Sequence, residues 1–115
     1  VIWLWASAAL MLATGITHSI LGEAKLIGPM LRARHGVLVS GFARTIIRYA
    51  WHVTSVLMAA TAIAVVWPGT PAALIRAIGA IWLGLGLVSL VWTRGKHVGW
   101  PVLSGAGICA LIGAA

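Results

Sequence analysis

Residues 1–22, VIWLWASAALMLATGITHSILG, decide the fold. None carries a charged side chain, and at about 1.5 Å of rise per residue a helix of this length reaches about 33 Å, enough to cross the ~30 Å hydrocarbon core of a bilayer. A segment this apolar is expected to be a transmembrane helix. It has neither a basic n-region nor a small-residue cleavage site, so it reads as a retained helix rather than a secretory signal.

Working outward, Glu23 to Arg44 changes character. Lys25, Arg32, Arg34, His35 and Arg44 are mixed with Gly28, Pro29, Gly36 and Gly41, and the apolar stretches Leu26 to Leu31 and Val37 to Phe42 are too short to cross. Residues 23–44 are therefore expected to form a basic connector lying along the headgroup boundary. A second span is expected over 45–67, closed by Pro68-Gly69-Thr70-Pro71, a turn through which no helix continues easily. A third covers 72–93, with Arg76 close enough to its end to snorkel to the surface. After the basic turn Arg94-Gly95-Lys96-His97, a fourth covers 98–115, with Pro101 near its start, where a missing N–H costs little. The expected fold is all-α, a single transmembrane domain forming a four-helix bundle.

The composition agrees. Of 115 residues 62% are hydrophobic and 8% charged, against about 25% charged in soluble domains, which excludes a soluble fold. Eight Lys or Arg face one acid, Glu23, giving a formal charge of +7. In a soluble domain that balance would suggest nucleic acid. Here the basic residues flank apolar spans and no aromatic residues are interleaved on a basic surface, so the charge reports topology and no nucleic-acid partner is expected. With Arg48 grouped with the first connection, the first and third connections hold all of the basic residues but Arg76, which places both termini on the non-cytoplasmic side. Trp3, Trp5 and Trp67 fall at one interface and Trp51, Trp92 and Trp100 near the other, with Trp82 deep. The only cysteine, Cys109, lies in an apolar run, so there is no intramolecular disulfide and no thiolate metal site.

Helix faces follow from spacing. Arg48, His52, Ser55, Ala59 and Ala62 share one stripe of the second span. Ala8, Gly15, Ser19 and Gly22 form a small-residue stripe on the first, with His18 at its edge, and Gly105, Cys109 and Gly113 form another on the fourth, beside Ala106, Ala110 and Ala114. Such faces let helices approach closely.

Chemistry is confined to a few polar groups. His18, Glu23, Arg48 and His52 fall near one interface and are expected to form a polar cluster joining the first two spans, because an ionisable group in a bilayer is paired or functional. Glu23 would balance Arg48, and the histidines would hydrogen-bond across the helix pair. A metal site built from His18, His52 and Glu23 is opposed by the nearby Arg48 guanidinium, and His18 and Glu23 lie about 140° apart on a continuous helix. His18 and His52 are the candidate cofactor ligands, as an axial pair for haem iron with arginines near the propionates, or singly for a chlorophyll-type magnesium. With no aspartate and one glutamate, Ser-His-Asp and paired-carboxylate chemistry are excluded, and no enzymatic activity is expected.

The stretch His18-Ser19-Ile20-Leu21-Gly22-Glu23, with Leu26-Ile27-Gly28-Pro29 and Arg48-Tyr49-Ala50-Trp51-His52, resembles an arrangement in small uncharacterised bacterial four-helix integral membrane proteins. The likeness covers roughly the first half of the chain. It implies a place in the bacterial inner membrane and supplies no activity. The function expected from these observations is that of a non-catalytic accessory or assembly subunit of a larger membrane complex, an energy-transducing one among the options, in contact with lipids and other subunits. The alternatives are a homodimeric transporter or proton-coupled carrier using Glu23, and a tetrapyrrole binder using His18 and His52.

Overall fold

A computed structural model describes residues 1–115 and is helical throughout, without strands. Its elements are α1 (Ile2–Gly22), a π turn (Glu23–Ile27), α2 (Gly28–Ala33), a 3-10 turn (Gly36–Val39), α3 (Gly41–Val66), α4 (Ala72–Trp92) and α5 (Trp100–Gly113). Three helical runs, Ile2–Ala33, Gly41–Val66 and Ala72–Trp92, are long and apolar enough to cross a membrane. α5 has 14 residues rather than the expected 18, about 21 Å of helix at 1.5 Å per residue. Its first turn begins only at Trp100, with Pro101 in the position where a missing N–H is harmless.

The larger departure from expectation lies at residues 23–44. The first helix does not stop at Gly22; it runs on through the π turn into α2 and ends at Ala33. Gly28-Pro29 reads as a break, since a proline inside an α-helix has no N–H to give and its ring crowds the preceding turn. The π turn absorbs that defect by lengthening the loop of one turn, so that the Gly28 N–H donates to the Glu23 carbonyl. Gly28 is needed there, because a Cβ would lie 2.7 Å from that carbonyl oxygen. Arg34, in the left-handed region at φ 52°, turns the chain out of the helix. α3 also starts earlier than expected, at Gly41, where the Ser40 hydroxyl accepts from the Ala43 N–H at 3.3 Å as an N-cap. The connector shrinks to residues 34–40.

The helices run up and down in turn, with α1 packed between α3 and α5, and α5 against α4. α3 and α4 hardly meet; a hydrogen bond from the Trp82 indole to the Thr61 hydroxyl, 3.1 Å, links them. The α4–α5 seam is backbone-close, since a Cβ on Gly79 would lie 3.0 Å from the Gly107 carbonyl and one on Gly107 would lie 2.5 Å from the Leu83 nitrogen. On α5 the tight positions are thus Ala106, Gly107 and Ala110, all buried, rather than Gly105 and Cys109, which stay partly exposed. Gly113 does pack tightly, on Leu4 of α1. Ser7 donates to the Ala106 carbonyl at 2.7 Å across the α1–α5 seam, and Met11, Val65, Ile75, Ile78 and Trp82 fill the centre. α3 buries only Ala62 and Val65, so most of it faces outward.

Candidate functional site

Antiparallel pairing brings the end of α1 beside the start of α3, and there the polar groups gather. The α3 positions 44, 48, 52 and 55 follow one another at intervals of four, four and three, so they line one face. Across from them the π turn presents Glu23. The Arg48 Nε and Nη2 groups both donate to Glu23 Oε1 at 2.8 Å, and His52 Nε2 lies 3.1 Å from Glu23 Oε2. The other His52 nitrogen, Nδ1, lies 2.9 Å from the Ser19 hydroxyl, which in turn lies 2.7 Å from the Ser55 hydroxyl. One chain of hydrogen bonds therefore runs Arg48, Glu23, His52, Ser19, Ser55, from the charged end of the seam toward the bundle's middle.

A glutamate ionised by Arg48 can only accept, so His52 Nε2 carries hydrogen. Nδ1 then has two options. It accepts from Ser19 in the neutral ring, or it donates to Ser19 in the imidazolium, with Ser19 turning its hydrogen to Ser55. The two states differ by one proton and the rotation of hydroxyls. The series Ser19–His52–Glu23 has the order of a hydrolytic triad, but Ser19 sits within α1, whose backbone N–H groups are spent inside the helix, and nothing is placed to hold an oxyanion. The arrangement can bind a polar group and move a proton.

His18 does not join this network. Its imidazole stacks on the Trp51 ring, centroids 4.1 Å apart and planes 11° from parallel, and its Nε2 lies 2.8 Å from the Thr54 hydroxyl. Thr54 donates to the Trp51 carbonyl at 2.6 Å, so His18 Nε2 is the donor to Thr54. Trp51 Nε1 donates back to the His18 carbonyl at 3.0 Å. Thr54 and His52 are about 160° apart around α3, so the two histidines occupy opposite flanks of the seam. The expected four-residue cluster is thus a three-residue network of Glu23, Arg48 and His52, extended by Ser19 and Ser55, with His18 in a separate Trp51 clasp. His18 and His52 do not face a common slot, and both are engaged in hydrogen bonds, which is a poor fit to a tetrapyrrole clamped between them. Gly22 belongs to the clasp, since a Cβ there would fall inside the Trp51 indole.

The network lies on the flank of the bundle: the Glu23, Arg48 and His52 side chains are 35%, 49% and 37% exposed. Two cavities adjoin it. A groove of about 410 Å³ between α1 and α3 has Ser19, His52 and Ser55 among its walls, with Leu12, Ile16, Val56 and Ala59 around them. A second, of about 360 Å³, is formed by Leu31, Arg32, Arg34, Arg44 and Arg48. Sequence reasoning placed Ser19 and Ser55 on packing stripes and Arg32, Arg34 and Arg44 in a connector. The spacing of Arg44, Arg48, His52 and Ser55 was the available signal for both cavities. No family model matches the chain, and neither a curated protein nor a solved structure is significantly similar to it.

Proposed function

We propose that the chain is a non-catalytic binding protein embedded in the bacterial inner membrane, an accessory to a larger membrane system, whose working site is the groove between α1 and α3. In this reading the bundle spans the bilayer with its basic end and the Glu23 network at the cytoplasmic face and both termini outside. The seven-to-one division of basic residues between the two ends supports that orientation. One observation carries the assignment of the site: an open groove runs along the α1–α3 seam beside the hydrogen-bonded series Glu23, His52, Ser19 and Ser55. The exposed wall of the groove is nearly all apolar, because the polar atoms of His52, Ser19 and Ser55 are spent on one another and on Glu23, so it suits an apolar body. A groove of about 410 Å³ falls within the ~300–1,000 Å³ range of small-molecule sites.

Gly15, Gly79, Gly107 and Gly113 pack on neighbouring helices of the same chain, so the accessory role does not rest on small-residue faces. The continuous hydrogen-bonded series Glu23, His52, Ser19 and Ser55 favours a second reading, a carrier in which Glu23 and His52 pass a proton as the groove exchanges its occupant.

Native mass spectrometry and absorption spectra of protein released in mild detergent test the assignment. The expected result is a colourless protein retaining a bound amphiphile that Ala59→Phe, which fills the groove, displaces. A Soret band would replace this reading with tetrapyrrole binding, and an adduct unaffected by Ala59→Phe would remove the groove from it.

A further inference from the structure

Arg32, Arg34, Arg44 and Arg48 meet around a single cleft. Positive charge at one end of a membrane protein is ordinary, but four arginines around about 360 Å³ is a concentration that mutual repulsion opposes. Little in the chain neutralises it. Glu23 is the only acidic side chain, and it is already taken by Arg48 and His52. Arg44 donates to the Leu38 and Val39 carbonyls, each at 2.8 Å, which fixes its guanidinium without cancelling its charge. Arg32 and Arg34 have no carboxylate to pair with.

The cleft and the groove lie along one line. Arg44 and Arg48 wall the cleft, and His52, Ser55 and Ala59 wall the groove, all on one stripe of α3 that covers about 22 Å from end to end at 1.5 Å per residue. Glu23 crosses the seam between them. A ligand filling both would need an anionic, oxygen-rich head and an apolar body joined end to end. Arginine is the residue best suited to the head, because its fork of donors matches phosphate oxygens two at a time.

We propose that the α1–α3 seam binds one lipid with an anionic phosphate headgroup, the phosphate among Arg32, Arg34, Arg44 and Arg48 and the chain in the groove walled by Ile16, Val56 and Ala59. This rests on the reading that the seam is a binding site and names what it binds. The phosphate offsets part of the cleft's charge; the groove supplies the apolar wall; the Glu23 network joins α1 to α3 between them.

Titration calorimetry of the whole protein in an uncharged detergent tests this with four probes: dihexanoyl phosphatidic acid, dihexanoylglycerol, inorganic phosphate and a polyglutamate peptide. The expected order has the phosphatidic acid tightest, its affinity reduced about tenfold or more by R32Q/R34Q, which removes two charge-assisted phosphate contacts, and reduced also by Ala59→Phe. Lys25→Gln, which also removes positive charge at that end but outside the cleft, should leave it unaltered. Inorganic phosphate or polyglutamate binding as tightly as the lipid overturns the proposal in favour of a free anion or an acidic protein segment, and so does R32Q/R34Q binding like the wild type. If dihexanoylglycerol binds as well as the phosphatidic acid and Ala59→Phe abolishes both, the phosphate assignment falls while the groove stands as a site. If neither amphiphile binds, the groove reading falls with it.

Discussion

Glu23 is the only carboxylate side chain in the protein, and three nitrogens converge on it, two from Arg48 and one from His52. Replacing it with glutamine puts an amide N–H₂ where one of two donors now points, so either the guanidinium or the imidazole loses its acceptor. Glu23→Gln should therefore lower the thermal midpoint of the solubilised protein, whereas Lys25→Gln, with no partner to lose, should leave it nearly unchanged. Trp51 permits a sharper test. Gly22→Ala places a methyl in the indole and should destabilise by about 1–3 kcal/mol as overpacking does, and most of that loss should vanish in a Trp51→Leu background, as a double-mutant cycle in denaturant would report. Arg48 and His52 were legible as one face because four-residue spacing on a helix is geometry. The roughly 140° that divides His18 from Glu23 held the signal for its separation, although the expected cluster included it; the role of Trp51 in filling that flank had no such signal, because a large ring's choice of side depends on which neighbour lacks a side chain.

Among the elements, the four apolar helices and their turns follow from hydropathy and from Pro68-Gly69-Thr70-Pro71, while the end of the first helix does not. Gly28-Pro29 signals a break by local rules, and the π turn that rescues continuity depends on the approach of Gly28 to the Glu23 carbonyl, a contact between residues five apart that no propensity encodes. The extension has a structural consequence: α2 carries Leu31 and Arg32, which α3 meets to enclose the arginine cleft. Glycine spacing on α5 suggests one packing face, but the helix turns another inward. Gly107→Ala should cost about 1–3 kcal/mol because its methyl would press on the Leu83 backbone, while Gly105→Ala, whose nearest neighbour is a Leu10 methyl at 3.6 Å, should cost much less. Thermal unfolding of the two variants in the same detergent would rank them.

For the molecule as a whole, the chain folds into a flattened block of 49 × 31 × 19 Å in which the α1–α3 and α4–α5 pairs are joined mainly through α1 and α5. All of the basic residues but Arg76 collect at one end; Arg76, at the other, donates to the Ala114 carbonyl at 3.1 Å. The proposed site needs that end to face the cytoplasm, where anionic headgroups attract basic residues. Labelling of single cysteines at Gly69 and Gly95, in a Cys109→Ala background, with a membrane-impermeant maleimide on intact spheroplasts reads the placement directly. The Gly69 position should label from outside and the Gly95 position only after permeabilisation. Equal labelling of both before permeabilisation, or labelling of the Gly95 position alone, would contradict that placement.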